Sequence, residues 1–379
     1  LIHYIIDAYA APDYQARMKY RAAAFSLLLL ASSANAETRY VGDVFQSKQV
    51  IDQLDTKDLE SGVVHRFWFR VADTSIGQAW HVPVIVVKGV RPGPRLLLTA
   101  ALHGDELNGI DVIHQLLGSI EPDQLAGTVI AVPGLNIPGL MRKTRGFTPS
   151  DDGAGANLNR LMPGKTGEGA DAADRYAHRL WTALLRPNAD TVVDLHTQSR
   201  GTAYEMFAFA GSTRAREIAE LIGPDVIKLD PGEKGTLETE MMKDGVPAIT
   251  LELERPEEFQ PVLVKRTVAG ILRLMADMKM IARSAEPPNI VQPFIGNDLV
   301  NVRNEHGGFV RMSKSLGATV EKGEAIGTVS DAFGATIETI TAPVRGRIHT
   351  IATTPLRDPG DMVARIIFWS DDPKCRKGC

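Results

Sequence analysis

Between residues 80 and 285 the chain repeatedly sets down a short run in which nearly every residue is apolar. Each run is followed by a longer segment whose apolar residues recur every three or four positions. The runs are VPVIVVKG (82–89), RLLLTAAL (95–102), GTVIAVPGL (127–135), TVVDLHT (191–197) and AITLELE (248–254). NGIDVIHQLLGSI, ADAADRYAHRLWTALL, TRAREIAELIG and VKRTVAGILRLMADMKM lie between or after them. A strand that is apolar on both sides has to be covered on both sides, and three-to-four spacing builds helices with one apolar face. The alternation predicts an α/β fold: a mostly parallel (mixed) sheet with helices on both faces.

After SAEPPNIVQP (284–293) the texture changes. Residues 290–370 are rich in glycine, β-branched residues and short alternations, which predicts a small all-β, barrel-like domain. Inside it VEKGEAIGTV (320–329) echoes RDPGDMVARI (357–366), each placing a turn glycine before a short strand. The expected division is a catalytic domain over 37–285 with its core from about 80, a β-rich domain over 286–370, and a polar tail over 371–379.

The first 36 residues read as a leader. From Met18 the chain carries Lys19 and Arg21, then an apolar segment, then Ala34-Asn35-Ala36, which is the pattern of a cleaved secretory signal peptide. Residues 1–17 form an upstream extension in this reading. The mature protein is expected to begin near Glu37 and to be periplasmic or secreted. No apolar run reaches the roughly 20 residues a spanning helix needs. A net charge of −4 argues against a nucleic-acid or anionic-membrane partner. The two cysteines, Cys375 and Cys379, sit in the tail, so the fold is not stapled by disulfides, and a local or intermolecular disulfide is expected there.

Chemistry gathers at the ends of the apolar runs. The run at 95–102 ends in His103 and Glu106, and TVVDLHT ends in His196. A catalytic zinc takes three such ligands and leaves a position for water. Ligands of open α/β sheets collect where strands end. His103 and Glu106 are expected at the start of a helix, three apart on one face. Asp194 shares the face of His196 and suits an outer carboxylate. The other histidines lie on amphipathic helices, in loops or in β-like stretches without an acidic residue at ligand spacing. A water nucleophile also needs a base, and AITLELE brings Glu252 and Glu254. Strand alternation puts both on one face, so spacing does not choose between them. An ion pair of one of them with Arg255 or Arg266 is the purely structural reading. The loop TRGFTPSDDGAGANLNRLMPG (144–164) adds Arg145, Asn157, Asn159 and Arg160. GKT at 164–166 is not a phosphate loop, because position 159 is asparagine where glycine is required.

Taken in order, HGDELNG, NLNRLMPG, DLHT and ITLEL resemble the succinylglutamate desuccinylase/aspartoacylase family of the zinc carboxypeptidase clan. The similarity spans roughly 80–370. It implies a carboxypeptidase-like fold and one Zn2+ held by His103, Glu106 and His196. It also implies Glu252 as general base and acid, Arg145 polarising the scissile carbonyl, and Asn159 with Arg160 holding a substrate carboxylate. The activity implied is hydrolysis of the amide bond of a small N-acylated amino compound. Asn157 stands where the family usually has aspartate, and Glu254 where it usually has glycine. The β-rich part resembles the biotinyl/lipoyl-like barrel without its carrier lysine, whose place falls near Ala335; it is read as a cover for the site. Competing readings are an exported carboxypeptidase or amidase of cell-wall peptides, and a metal-dependent binding protein. A serine hydrolase is disfavoured by the lack of a Gly-x-Ser-x-Gly elbow.

Overall fold

The computed structural model describes residues 37–147, 156–199, 201–283 and 292–379. The expected leader and its cleavage point at Ala36 lie outside the described residues, as does 148–155 of the 144–164 loop. Three strands precede the apolar runs: β1 (Arg39–Phe45), β2 (Lys48–Gln53) and β3 (Val63–Asp73). The runs themselves become β4 (Ala79–Lys88), β5 (Arg91–Ala100), β6 (Ala126–Val132), β7 (Thr191–His196) and, further on, β11 (Ala248–Glu252). Between β7 and β11 come β8 (Thr202–Tyr204), β9 (Phe207–Ala210) and β10 (Val226–Leu229), and β12 (Phe294–Gly296) follows. All except β8 form one sheet in the order β1-β2-β3-β4-β6-β5-β7-β11-β9-β10-β12. At its centre β6, β5, β7 and β11 run parallel.

The helices are α1 (Asn108–Leu117), α2 (Ile137–Arg142), α3 (Ala172–Leu180), α4 (Thr213–Ile222), α5 (Leu237–Lys243) and α6 (Pro261–Asp277). Strand geometry sends alternate side chains to opposite faces. Leu96 and Leu98 of β5 therefore meet α1, α4 and α6 through Val112, Ile113, Leu116, Ile218, Ile222, Ile271 and Leu274. Leu97, one residue along, joins Tyr176 and Leu180 of α3 and Leu237 and Met241 of α5 on the other face. Helix starts are fixed locally. Asp171 and Asp174 form a capping box at α3, and the Ser212 hydroxyl accepts from Ala215 N at 3.1 Å at α4.

The C-terminal region consists of β13 (Asp298–Arg303), β14 (Gly308–Met312), β15 (Thr319–Val320), β16 (Ala325–Ser330), β17 (Thr336–Thr341), β18 (Gly346–Ala352), β19 (Leu356–Arg357) and β20 (Met362–Phe368). One sheet has the order β13-β20-β18-β15 and the other β17-β16-β14-β19. Val302, Val310, Ile326, Val329, Ile340, Ile348, Val363 and Ile366 form the core of this region. The echoed segments lead into β16 and β20, one in each sheet. Each is preceded by a glycine in the left-handed region, Gly323 at φ 82° and Gly360 at φ 86°, where a β-carbon would be strained. Ala335 lies in the turn between β16 and β17.

The two regions trade strands across the expected boundary at 285/286. β12 extends the large sheet by pairing with β10, while β8, from within the catalytic stretch, pairs with β18 of the C-terminal sheet. Beside β8, Arg347 grips the buried Glu205 carboxylate with two bonds of 2.9 and 2.6 Å. Replacing Glu205 with Ala should cost roughly 2 kcal/mol, the size of hydrogen bonds to a charged group. Denaturant titration checks this. An unchanged midpoint would mean the pair does not fasten the two regions.

Cys375 and Cys379 form a local disulfide. The tail is docked, since Asn297 Nδ2 donates to Cys375 O at 2.9 Å and buried Lys228 Nζ donates to Cys379 O at 2.8 Å. No helix among the described residues is long and apolar enough to cross a membrane.

Candidate active site

Three neighbouring strands of the parallel block deliver the site at their carboxyl ends. β5 ends at Ala100, and Ala101 takes a left-handed φ of 53°, turning the chain into His103–Glu106. This segment is a turn closed by Glu106 N to His103 O at 3.3 Å, and α1 begins only at Asn108. The expectation of a helical first turn is therefore corrected: a tighter turn brings the two side chains together. Gly104 is required there, because a β-carbon would lie 2.0 Å from Gly139 C. Its N–H donates to Thr144 O at 3.0 Å, which fastens the neighbouring Arg145 onto the same turn.

His103 Nδ1 lies 2.8 Å from Glu106 Oε1, and His196 Nδ1 lies 2.8 Å from Glu106 Oε2. All three residues are buried. The far nitrogens are also engaged, His196 Nε2 with Asp194 Oδ2 at 2.8 Å and His103 Nε2 with Asn157 Oδ1 at 3.0 Å. Asp194 in turn accepts from Thr99 Oγ1 at 2.6 Å. Burial by itself would raise the Glu106 carboxyl, but the two imidazoles outweigh it and hold Glu106 well below the usual carboxylate range. Burial likewise opposes charge on His196, yet Asp194 and Glu106 raise it well above its ordinary value. An arrangement that favours cationic charge beside a carboxylate favours a metal cation in the same place.

The donor set fits a divalent ion. One atom from each of His103, Glu106 and His196 lies within 4.8 Å of the others. Two imidazole nitrogens and a carboxylate oxygen, with each histidine oriented by an outer acceptor, match a catalytic zinc site. Among the described residues the other such grouping, Asp298 with Cys375 and Cys379, has its sulfurs in the disulfide.

Glu252 ends β11 and is in register with His196 on parallel β7. Its Oε2 is buried with no hydrogen-bond partner among the described residues. Burial pushes this carboxyl up to about 8; His196 and Arg145 pull it down, and Glu106 and Asp194 push it further up. Glu254 does not share its setting. The strand stops at Glu252, Glu254 takes φ 52°, and its Oε2 accepts from Gln260 Nε2 at 2.5 Å. The alternation that placed both glutamates on one face is corrected by this left-handed residue. The same φ makes glycine the natural occupant of position 254. The pairing with Arg255 or Arg266 is not found either: Arg255 faces Glu258 at 3.8 Å and Arg266 binds Asp225 at 2.8 Å.

Arg145 NH1 donates to Glu106 Oε1 at 2.9 Å and to Ser199 Oγ at 2.6 Å. Asn159 and Arg160 lie farther along the same loop. Buried Asn159 Oδ1 accepts from Leu237 N at 2.9 Å at the start of α5, and Arg160 NH2 pairs with Glu233 Oε2 at 2.6 Å, the two charged side chains being exposed. Thr99, Ser199 and Thr197, whose N–H donates to Glu106 Oε2 at 3.1 Å, were not singled out from the sequence. For Thr99 a signal existed: one hydroxyl in an otherwise apolar run needs a buried partner.

A His-Glu-His cluster with an adjacent half-buried glutamate, at the strand ends of a mixed α/β sheet, defines a hydrolase of the carboxypeptidase-like kind. Comparison with known proteins narrows this. Residues 92–278 match the succinylglutamate desuccinylase/aspartoacylase catalytic domain. The N-alpha-acetyl-L-2,4-diaminobutyric acid deacetylase of Halomonas elongata is 28% identical over 294 residues, 73% of this chain and 82% of that protein. The product-bound structure of the ectoine utilization protein EutE from Ruegeria pomeroyi superposes with a TM-score of 0.71 at 22% identity, covering 84% of this chain and 99% of that one. A succinylglutamate desuccinylase/aspartoacylase structure from Rhodobacter sphaeroides gives 0.69 at 22% identity, covering 83% and 98%. Over residues 92–278 the chain belongs to the succinylglutamate desuccinylase/aspartoacylase family, as its catalytic domain. It is, accordingly, a hydrolase of amide bonds.

Proposed function

We propose that this protein is a zinc-dependent deacylase that removes a short acyl group, acetyl first among them, from the amino group of a small amino acid. The observation that carries the reading is the convergence of His103 Nδ1 and His196 Nδ1 on the Glu106 carboxylate. Zinc bound by these three residues would lower the pKa of a water molecule and polarise the amide carbonyl. Glu252, with an unpartnered buried oxygen at the neighbouring strand end, takes the proton from the water and passes it to the leaving amine. Its raised proton affinity suits both halves of that transfer near neutral pH. Arg145, held at the same turn, supports negative charge developing on the carbonyl oxygen. Arg145→Ala is expected to lower kcat roughly a hundred- to a thousandfold, the usual loss for one such donor. Steady-state kinetics checks this, and a change confined to KM would assign Arg145 to binding alone.

The Halomonas relative's acetylated diamino acid supports the acetyl assignment. Arg160 with Glu233 places a cation and an anion side by side on one loop pair, which suits an N-acetylated diamino acid, its carboxylate meeting Arg160 and its free ammonium meeting Glu233. The assay that tests the reading measures amine release from N-acetyldiaminobutyrate, N-acetylaspartate, N-succinylglutamate and muropeptides. Release from an N-acyl amino acid is expected. Cleavage of muropeptides alone would transfer the assignment to cell-wall peptides. We also propose that the protein acts after export, on the leader pattern from Met18 to Ala36; N-terminal sequencing of protein from fractionated cells, expected to begin near Glu37, tests it.

A further inference from the structure

The two histidines of the cluster are held from behind by different chemistry. His196 Nε2 meets a carboxylate, Asp194 Oδ2, at 2.8 Å, whereas His103 Nε2 meets an amide oxygen, Asn157 Oδ1, at 3.0 Å. The orientation of that amide is fixed by a second bond, because Oδ1 also accepts from Asn159 N at 2.9 Å. Turned over, Asn157 would set its NH2 group against the Asn159 N–H, two donors face to face. The oxygen therefore faces the ring, so His103 Nε2 carries the hydrogen and Nδ1 keeps its lone pair toward Glu106, 2.8 Å away.

We propose that Asn157 is a positioning residue that fixes His103 as a metal donor through a neutral acceptor, so that the site holds its divalent ion less tightly than it would with a carboxylate at 157. This rests on the reading of His103, Glu106 and His196 as a metal site. A carboxylate behind an imidazole draws its N–H proton and raises the electron density at the opposite nitrogen, and an amide does so less. The His196 half of the site has this reinforcement and the His103 half lacks it. Glu106 and Asp194 already set two carboxylates against the histidines that would hold the ion, and the Arg145 guanidinium binds Glu106. A neutral residue at 157 limits how strongly that negative charge retains the cation, and leaves the cation a stronger acceptor toward the fourth position.

Asn157 also caps the turn Leu158–Arg160. Aspartate caps equally well, so Asn157→Asp keeps the structural role and changes only the charge behind His103. The experiment is zinc competition against a chromophoric chelator of known affinity, with protein folding checked by thermal melting. Asn157→Asp is expected to bind Zn2+ about tenfold more tightly than the parent, the lower end of the range for such outer partners. Asn157→Ala, which removes the acceptor altogether, is expected to bind it several-fold more weakly, and it decides the matter if the aspartate variant does not fold. Affinities equal to the parent's in the folded variants would overturn the proposal and leave the metal site intact. A parent protein that binds no zinc would overturn both.

Discussion

Glu252→Gln is expected to cut turnover roughly a hundred- to ten-thousandfold, the range for a lost general acid–base group, with zinc content unchanged. The amide keeps the shape of the side chain at the end of β11 and cannot take a proton from water. Glu254→Gly is the companion variant. It removes a carboxylate held by Gln260, not by the cluster, and relieves a left-handed residue at φ 52°. It should retain activity and match or exceed the parent in stability, the relief being about 1 kcal/mol. Retained turnover in Glu252→Gln together with loss in Glu254→Gly would reverse the two roles.

The raised proton affinity of Glu252 has a sign that stability measurements can read. From an ordinary value of 4.5 it is pushed up to about 8 by burial, so the metal-free folded state binds this proton more tightly than the unfolded chain does. Its contribution is most favourable below about pH 4.5 and is lost as pH rises through about 8. Glu252→Gln is neutral throughout. Metal-free, it should therefore melt above the metal-free parent at pH 8, and this advantage should shrink toward pH 5. A constant difference across that range would contradict the burial argument.

His196→Ala should be the more damaging substitution because two losses coincide. It removes one of the three proposed ligand atoms, and it strands Asp194, which is fully buried and keeps the Thr99 hydroxyl as its side-chain partner among the described residues. Breaking a buried charged pair from one side costs about 3–5 kcal/mol. The variant is thus expected to lose both zinc and a large share of its stability, whereas Glu252→Gln loses neither. Chemical denaturation with metal analysis checks this. A His196→Ala protein as stable as the parent would mean the contact between Asp194 and His196 carries no stability.

The strands buried on both faces were legible because such runs have few other uses, and the residues at their ends came with them. β3 was not singled out. Its burial alternates, with Phe67, Phe69 and Val71 buried between Arg66, Trp68 and Arg70, so it never forms an apolar run. The spacing of His103 and Glu106 identified the pair but not the turn that carries it, since that turn depends on Gly104 packing against Gly139. Glu252 and Glu254 could not be separated by periodicity, because what separates them is a backbone angle at the residue after the strand has ended. Neither the bond from Leu237 N to Asn159 nor the exchange of β8 and β12 between sheets leaves a trace in local sequence, as each depends on partners tens of residues away.

In the proposed mechanism His103, Glu106 and His196 hold a zinc ion on which deacylation depends. Its most direct test is acetate release from N-acetyldiaminobutyrate by the full chain as purified, after chelation, and after zinc is returned, with metal content measured in each state. The expected result is one zinc per chain as purified, turnover abolished when the metal is removed, and turnover restored in proportion to zinc regained. Full turnover by protein carrying no metal would contradict it.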